Sequence, residues 1–424
     1  MSGHLFISVL SVYLLDKSIP PTPFGNETMP RKIDDICASP VESPALITRP
    51  AVAPIQMAAV YGCASTADAS QILGGDVAGY VYQRDGHPNA SQLAEKCRQL
   101  HRAERAMVFA SGMSAISSVL LAQLEADDHL IVSDRLYGKT TYLLTQETKR
   151  FGIRSAVVDT LDLRHVAKAI EAKTKLLVVE TISNPTLRVA DIAALAEICR
   201  ERDVQLLVDN TFATPLLCQP HTLGADWTLE SMSKMMNGHS DVIMGLLTGR
   251  HDLWDRIPAV ASAWGLGSAP FDSWLAMRGL ATMHLRVDRA CLTACEVAKY
   301  LAGNSLVASV DYPGLPAHPE HELARRQFDG RFGTMVTFQL ADDTEVAAQR
   351  FIEACVDIHF CPSLGDIATT LSHPRSTSHR ATSPEECRTL GISDGTIRLS
   401  IGVEATDSVV TSLDDAFGRF KDSS

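Results

Sequence analysis

From about residue 106 the chain alternates two textures. Continuous apolar runs at 106–110, 129–132, 155–158, 175–179 and 204–208 are followed by segments whose apolar positions recur at helical spacing. Runs this short, and apolar at nearly every position, predict strands buried on both faces. The segments at 114–123, 140–150, 163–172 and 192–202 predict helices, with another at 91–99 ahead of the first strand. Together they predict an α/β domain with a mostly parallel sheet covered by helices on both sides. Ligands of such sheets bind beyond the carboxyl ends of the strands. Polar residues that end the apolar runs are therefore the candidate chemistry: Tyr137, Glu180, Asn184, Asp209 and Lys234.

After residue 270 the pattern changes. Residues 274–301 predict one long helix. Strands at 334–340 and 396–401 and helices at 345–355 and 409–420 then predict a smaller α+β domain. Upstream, 18–54 carries eight prolines and little periodicity. The expected organisation is a mobile arm over 1–55, a large domain over 56–270, and a linker helix with a small domain over 271–424. The apolar stretch 5–15 is too short to span a bilayer and has no basic segment before it. Met29 is an alternative start, which leaves 1–28 open.

Composition narrows the function classes. The 424 residues are 46% apolar and 21% charged, with a formal charge of −12, so no basic face is offered to nucleic acid. Ten cysteines contain no Cys-x-x-Cys pair. Neither a zinc site nor a disulfide framework is expected, which suits a reducing, cytoplasmic location. No G-x-G-x-x-G or G-x-x-x-x-G-K-[ST] is present, so dinucleotide and P-loop binding are not indicated.

Local chemistry adds detail. Lys234 sits among Ser231, Ser233 and Gly238 at the end of a short strand-like run. Small neighbours there allow an amine to be desolvated and become a base or nucleophile, although a lone lysine is ordinarily a solvated surface residue. Ser111-Gly112-Met113 joins a strand to a helix and leaves backbone N–H groups free for an anion, unless the glycine serves geometry alone. Asp209 is either a turn residue or the partner of a buried cation. Arg398 alternates with apolar neighbours in its strand and needs an anionic partner. The loop 79–89 carries Tyr82 and Arg84, which suit an interface or an anion site as well as simple packing.

Taken in order, these segments resemble the pyridoxal-phosphate-dependent trans-sulfuration (Cys/Met metabolism) enzymes. The motifs are Tyr82-Gln83-Arg84, Ala110-Ser111-Gly112-Met113, Leu136-Tyr137-Gly138, Glu180 through Leu187, Val208 through Pro215, Ser231-Met232-Ser233-Lys234 with Gly238-His239-Ser240-Asp241, Ser363-Leu364-Gly365-Asp366, His373-Pro374 and Ile397-Arg398-Leu399-Ser400. The resemblance implies the aspartate-aminotransferase-like fold (fold type I) and pyridoxal 5'-phosphate as cofactor. It implies Lys234 as the covalent anchor and proton carrier, Asp209 as partner of the pyridinium nitrogen, and Tyr137 stacked on the ring. Gly112, Met113, Ser231 and Ser233 would hold the phosphate, joined by Tyr82 and Arg84 of a neighbouring subunit. Asn184 would lie near the ring's 3-oxygen, and Arg398 with Ser363 would bind the substrate carboxylate.

The implied assembly is a homodimer-based homotetramer with shared sites, acting on small amino acids. No metal, membrane or nucleic-acid partner is implied. The implied reaction is at Cγ of homoserine- or homocysteine-derived amino acids, of the cystathionine γ-synthase or γ-lyase type. Methionine γ-lyase and O-acylhomoserine sulfhydrylase are the alternatives, with cystathionine β-lyase less favoured. Departures from the common pattern include Gln83, Glu230 where a histidine is frequent, and Met235. Two further positions that often carry acids in cystathionine-handling members are Val81 and Pro362. Lys139 replaces the usual glycine or cysteine and either meets a carboxylate leaving group or points to solvent.

Overall fold

A computed structural model describes residues 50–380 and 382–422, and the compact unit considered below is Ala53–Ser424. Most of the arm expected over 1–55 therefore lies outside the described residues.

The expected alternation builds a seven-stranded sheet. Its strands are β1 (Arg105–Phe109), β2 (His129–Ser133), β3 (Arg154–Val158), β4 (Thr174–Glu180), β5 (Gln205–Asp209), β6 (Trp227–Ser231) and β7 (Gly245–Gly249). They are ordered β1-β7-β6-β5-β4-β2-β3. Only β7 runs against the rest, pairing antiparallel with both β1 and β6. The apolar runs of the central strands are uniform because each has a core on either side, whereas the edge strand β3 exposes Val157. Leu176 and Val178 of β4 enter one core with Ile116, Val119 and Trp227, and Leu177 and Val179 enter another with Ile192, Leu195 and Val208.

A second sheet follows, ordered β10-β11-β12-β9-β8, from β8 (Val307–Asp311), β9 (Met335–Leu340), β10 (His359–Phe360), β11 (Thr370–Ser372) and β12 (Thr396–Ser400). Its own core is built on Phe338, Phe351, Phe417 and Phe420. The Phe351 and Phe417 rings lie 4.7 Å apart at 45°, an arrangement that aromatic quadrupoles favour over face-to-face stacking.

Two helices differ from expectation. The single helix expected over 274–301 is two, Pro270–Leu280 and Met283–Ala302. The interruption at Ala281 and Thr282 redirects the chain; Pro270 starts the first helix, where its missing N–H costs nothing. The helix expected over 140–150 is three short pieces, α (Gly138–Tyr142), π (Leu143–Glu147) and 3₁₀ (Thr148–Phe151). The hydroxyls of Thr145 and Thr148 donate to carbonyls four residues back, which competes with a regular backbone ladder.

Candidate active site

The carboxyl ends of β4, β5 and β6 open into a cavity of about 350 Å³. It is lined by Glu180, Asp209 and Ser231 at the ends of those strands, by Lys234, by Arg398 of β12 and by Ser363 from the loop between β10 and β11. Ser111, Gly112 and Met113 close one end. The helix Gly112–Gln123 starts there, with the Ser111 side chain accepting from Ser114 N at 3.0 Å. Its first N–H groups have no carbonyl one turn below and lie at the positive end of the helix. Gly245 permits this packing, since a Cβ there would meet the Ser111 carbonyl oxygen at 2.2 Å.

Lys234 Nζ donates to Ser363 Oγ at 2.8 Å. Its pKa is lowered, first by burial and then by the Arg398 charge. Gly365, at φ +82°, lets the 363–366 segment approach Lys234; a Cβ there would lie 3.1 Å from the Lys234 Cα.

Arg398 is buried in β12 and donates to Asn184 Oδ1 at 2.7 Å and to the Ser363 carbonyl at 3.0 Å. Its Nε is buried without a partner. Burial lowers its pKa to about 10. No carboxylate pairs with it among the described residues, although a buried guanidinium needs an anion.

Asp209 is the mirror case. Its carboxylate accepts from Thr211 N at 3.0 Å and Thr211 Oγ1 at 2.5 Å, and no cation pairs with it among the described residues. Burial raises its pKa, while both Thr211 bonds favour the charged form. Neighbouring Glu180 accepts from Tyr137 N at 2.6 Å. Its pKa is pushed well up, by burial first and then by Asp209.

These features fit pyridoxal phosphate by donor chemistry. A desolvated amine, an unpaired carboxylate, free N–H groups and an unpaired guanidinium share one cavity. Each has a counterpart among an aldehyde, a ring nitrogen, a phosphate and an amino-acid carboxylate.

The cavity collects Lys234, Asp209, Tyr137, Asn184, Gly112, Met113, Ser231, Ser233, Arg398 and Ser363. Ser233 Oγ is engaged by the backbone of Met244, which donates to it at 3.0 Å. Tyr82 and Arg84 are not brought in: Arg84 lies over the Tyr82 ring at 5.2 Å, both are exposed, and neither lines the cavity. Lys139 is exposed outside it. Thr211, Thr377 and Ser378 line the cavity without having been singled out. Thr211 follows Asp209 by two, and a hydroxyl there was readable as a turn bond to the carboxylate. The other two follow His373-Pro374 on a loop with no periodic signal.

One consequence concerns stability. The unfolded chain binds more protons at Lys234 between its lowered folded pKa and its unfolded value of about 10.4, so stability rises with pH across that window. Lys234→Met should therefore melt above the wild type at pH 7 in the cofactor-free state, the gap narrowing as pH rises. A melt below wild type at pH 7 contradicts this.

The sequence matches the family model for Cys/Met metabolism PLP-dependent enzymes over residues 41–418. It is 36% identical over 345 residues to an L-methionine gamma-lyase of Porphyromonas gingivalis, covering 80% of this chain and 85% of that protein. It is 38% identical over 345 residues to an O-succinylhomoserine sulfhydrylase of Pseudomonas aeruginosa, covering 81% and 85%. The crystal structure of cystathionine gamma synthase from Xanthomonas oryzae pv. oryzae in complex with cystathionine superposes with a TM-score of 0.82 at 33% identity, covering 88% of this chain and 94% of that one. Among the described residues no helix is long and apolar enough to cross a membrane. A match of this extent, on a fold with this cavity, places the chain among the PLP-dependent Cys/Met metabolism enzymes of fold type I, with pyridoxal 5'-phosphate as its cofactor.

Proposed function

We propose that the chain catalyses elimination or replacement at Cγ of homoserine- or homocysteine-derived amino acids. The observation that carries this reading is the pairing of a half-buried amine, Lys234, with a buried, anion-free guanidinium, Arg398, across one cavity. The cofactor, when bound, withdraws electrons from the amino-bearing carbon. Arg398 holds the substrate carboxylate, its fork aligned by Asn184 and the Ser363 carbonyl. Lys234 Nζ takes the proton from Cα, gives it up again, and as a neutral amine takes one from Cβ, its lowered pKa keeping the neutral form available. The Cβ–H electron pair becomes the Cβ=Cγ bond as the Cγ–X bond breaks, the pair of that bond leaving with X. Asp209 would keep the ring nitrogen protonated, and Tyr137 would lie against the ring. Gly112 and Met113 N–H groups, with Ser231 and Ser233, would hold the phosphate.

Tyr82 and Arg84 complete the phosphate site of a neighbouring copy. Mixing Arg84→Ala chains with Lys234→Ala chains should then rebuild one intact site per mixed dimer and recover roughly a quarter of wild-type activity on statistical exchange. Exchange without recovery contradicts shared sites.

Two types of Cγ chemistry compete: the cystathionine γ-synthase or γ-lyase type, and the methionine γ-lyase or O-acylhomoserine sulfhydrylase type. One observation favours the second. Among the described residues, Glu180 and Asp209 are the only acidic side chains lining the cavity, whose lining also includes Ile243, Pro362, Thr377 and Ser378. A distal ammonium would forgo roughly 1–3 kcal/mol of charge-assisted bonding there. Product analysis with O-succinylhomoserine, O-acetylhomoserine, cystathionine and methionine decides between them. The expectation is turnover of methionine or an O-acylhomoserine at a kcat/KM at least about tenfold above cystathionine. Preference for cystathionine would restore the first type, and no turnover of any would reject Cγ chemistry.

A further inference from the structure

A second polar cluster lies behind the cofactor cavity and has no part in the chemistry above. Strand alternation turns Leu229 and Ser231 toward the cavity, whereas Glu230 between them does not line it and is fully buried. His101, which caps the helix Pro88–Leu100, is also fully buried. Its Nε2 lies 3.6 Å from Glu230 Oε1. Both His101 ring nitrogens and Glu230 Oε2 lack hydrogen-bond partners. Two buried polar groups lie side by side, and one proton between them would give Glu230 and His101 Nε2 each a partner, leaving only Nδ1 without one. A small turn of the carboxyl group brings the oxygen into hydrogen-bond range.

The cluster reaches the cavity through Asn210. Asn210 Nδ2 donates to Glu230 Oε1 at 3.0 Å and to the Cys218 carbonyl at 3.0 Å, and its Oδ1 accepts from Thr181 Oγ1 at 2.7 Å. Asn210 is thus held on three sides. It directly follows Asp209, and Thr181 directly follows Glu180. The other ionisable groups facing the pair are the Cys97 and Cys218 thiols, Asp209 and His221, and no lysine or arginine is among them. A carboxylate at 230 would lie near Asp209 with only an amide to stabilise it. Burial disfavours charge on both partners, lowering His101 to about 3 and raising Glu230.

We infer that Glu230 is a neutral acid sharing its proton with the His101 imidazole, and that this uncharged pair positions Asp209 by clamping Asn210. The clamp fixes the 209–211 turn from the face of the sheet opposite the cofactor. Keeping it uncharged leaves Asp209 free of a competing anion behind it. The inference rests on the reading of Asp209 as the partner of the cofactor ring.

The test uses the holoenzyme and three readouts: the cofactor dissociation constant, the pH midpoint of its visible absorption, and the melting temperature. Glutamine presents Asn210 with the same acceptor and His101 with an N–H in place of the O–H. E230Q should therefore stay within about twofold of wild type in cofactor affinity and keep its midpoint. E230L removes the acceptor and should weaken cofactor binding at least about tenfold and displace the midpoint. E230Q as impaired as E230L would overturn the inference, because a charge would then be required. E230L with wild-type affinity and midpoint would overturn it too, because no positioning would be at work. Should E230L fail to fold, infrared spectra decide: a carboxylic-acid C=O stretch at pH 7, lost in E230Q, supports the neutral acid, and its absence refutes it. Asp209→Asn is measured alongside. If that variant keeps the wild-type spectrum, the parent reading of Asp209 has failed; if it does not, a failure belongs to the Glu230–His101 pair alone.

Discussion

Lys234→Ala should lower kcat/KM by at least about 10³-fold while leaving the fold intact. Proton transfer by a positioned side chain contributes roughly 10²–10⁴-fold, and here one amine serves two carbons as well as the cofactor link. Alternative bases are scarce. Tyr137 is nearly half exposed at the cavity mouth, Glu180 is tied to the Tyr137 N–H, and Arg398 remains charged even with its pKa lowered to about 10. Truncation also frees Ser363 Oγ and removes a partly desolvated amine, so stability should hold or improve. A variant retaining more than a tenth of wild-type turnover would mean that another group moves the protons.

Asp209→Asn is expected to be nearly as damaging by a different route. The substitution keeps the shape of the turn, and the amide oxygen can still accept from the Thr211 backbone and hydroxyl. It removes the only unpaired anion at the end of β5. Losing one member of a buried charge pair costs roughly 3–5 kcal/mol, or about 10²–10⁴-fold in kcat/KM. The visible absorption of the bound cofactor should change with it. Unchanged spectrum and turnover would remove Asp209 from the ring nitrogen.

Asp209 stood out because it ends the apolar run 206–208, and Lys234 because it follows a short strand-like run among small residues. Read alone, each was an ordinary turn or surface residue, and their roles came from the joint order of the motifs. Arg398 was legible for a related reason, as a charge alternating with apolar residues in a strand. The cofactor was legible only through the joint order of the motifs; no single run of residues distinguishes a phosphate turn from a turn needed for geometry.

Other features stayed hidden for stated reasons. Antiparallel β7 reads like its parallel neighbours because both faces are buried in either direction. The break at Ala281 and Thr282 carries no proline or strong turn signal, so apolar spacing runs through it. Glu230 stood out only as a departure from the family pattern. Its partner His101 lies 129 positions earlier, and nothing local joins the two.

Borohydride treatment of the purified holoenzyme, followed by peptide mapping, tests the central claim most directly. The account predicts loss of the visible band and a phosphopyridoxyl group on the peptide containing Lys234. Modification of another lysine instead, or a reduced protein with no modified peptide, would contradict it.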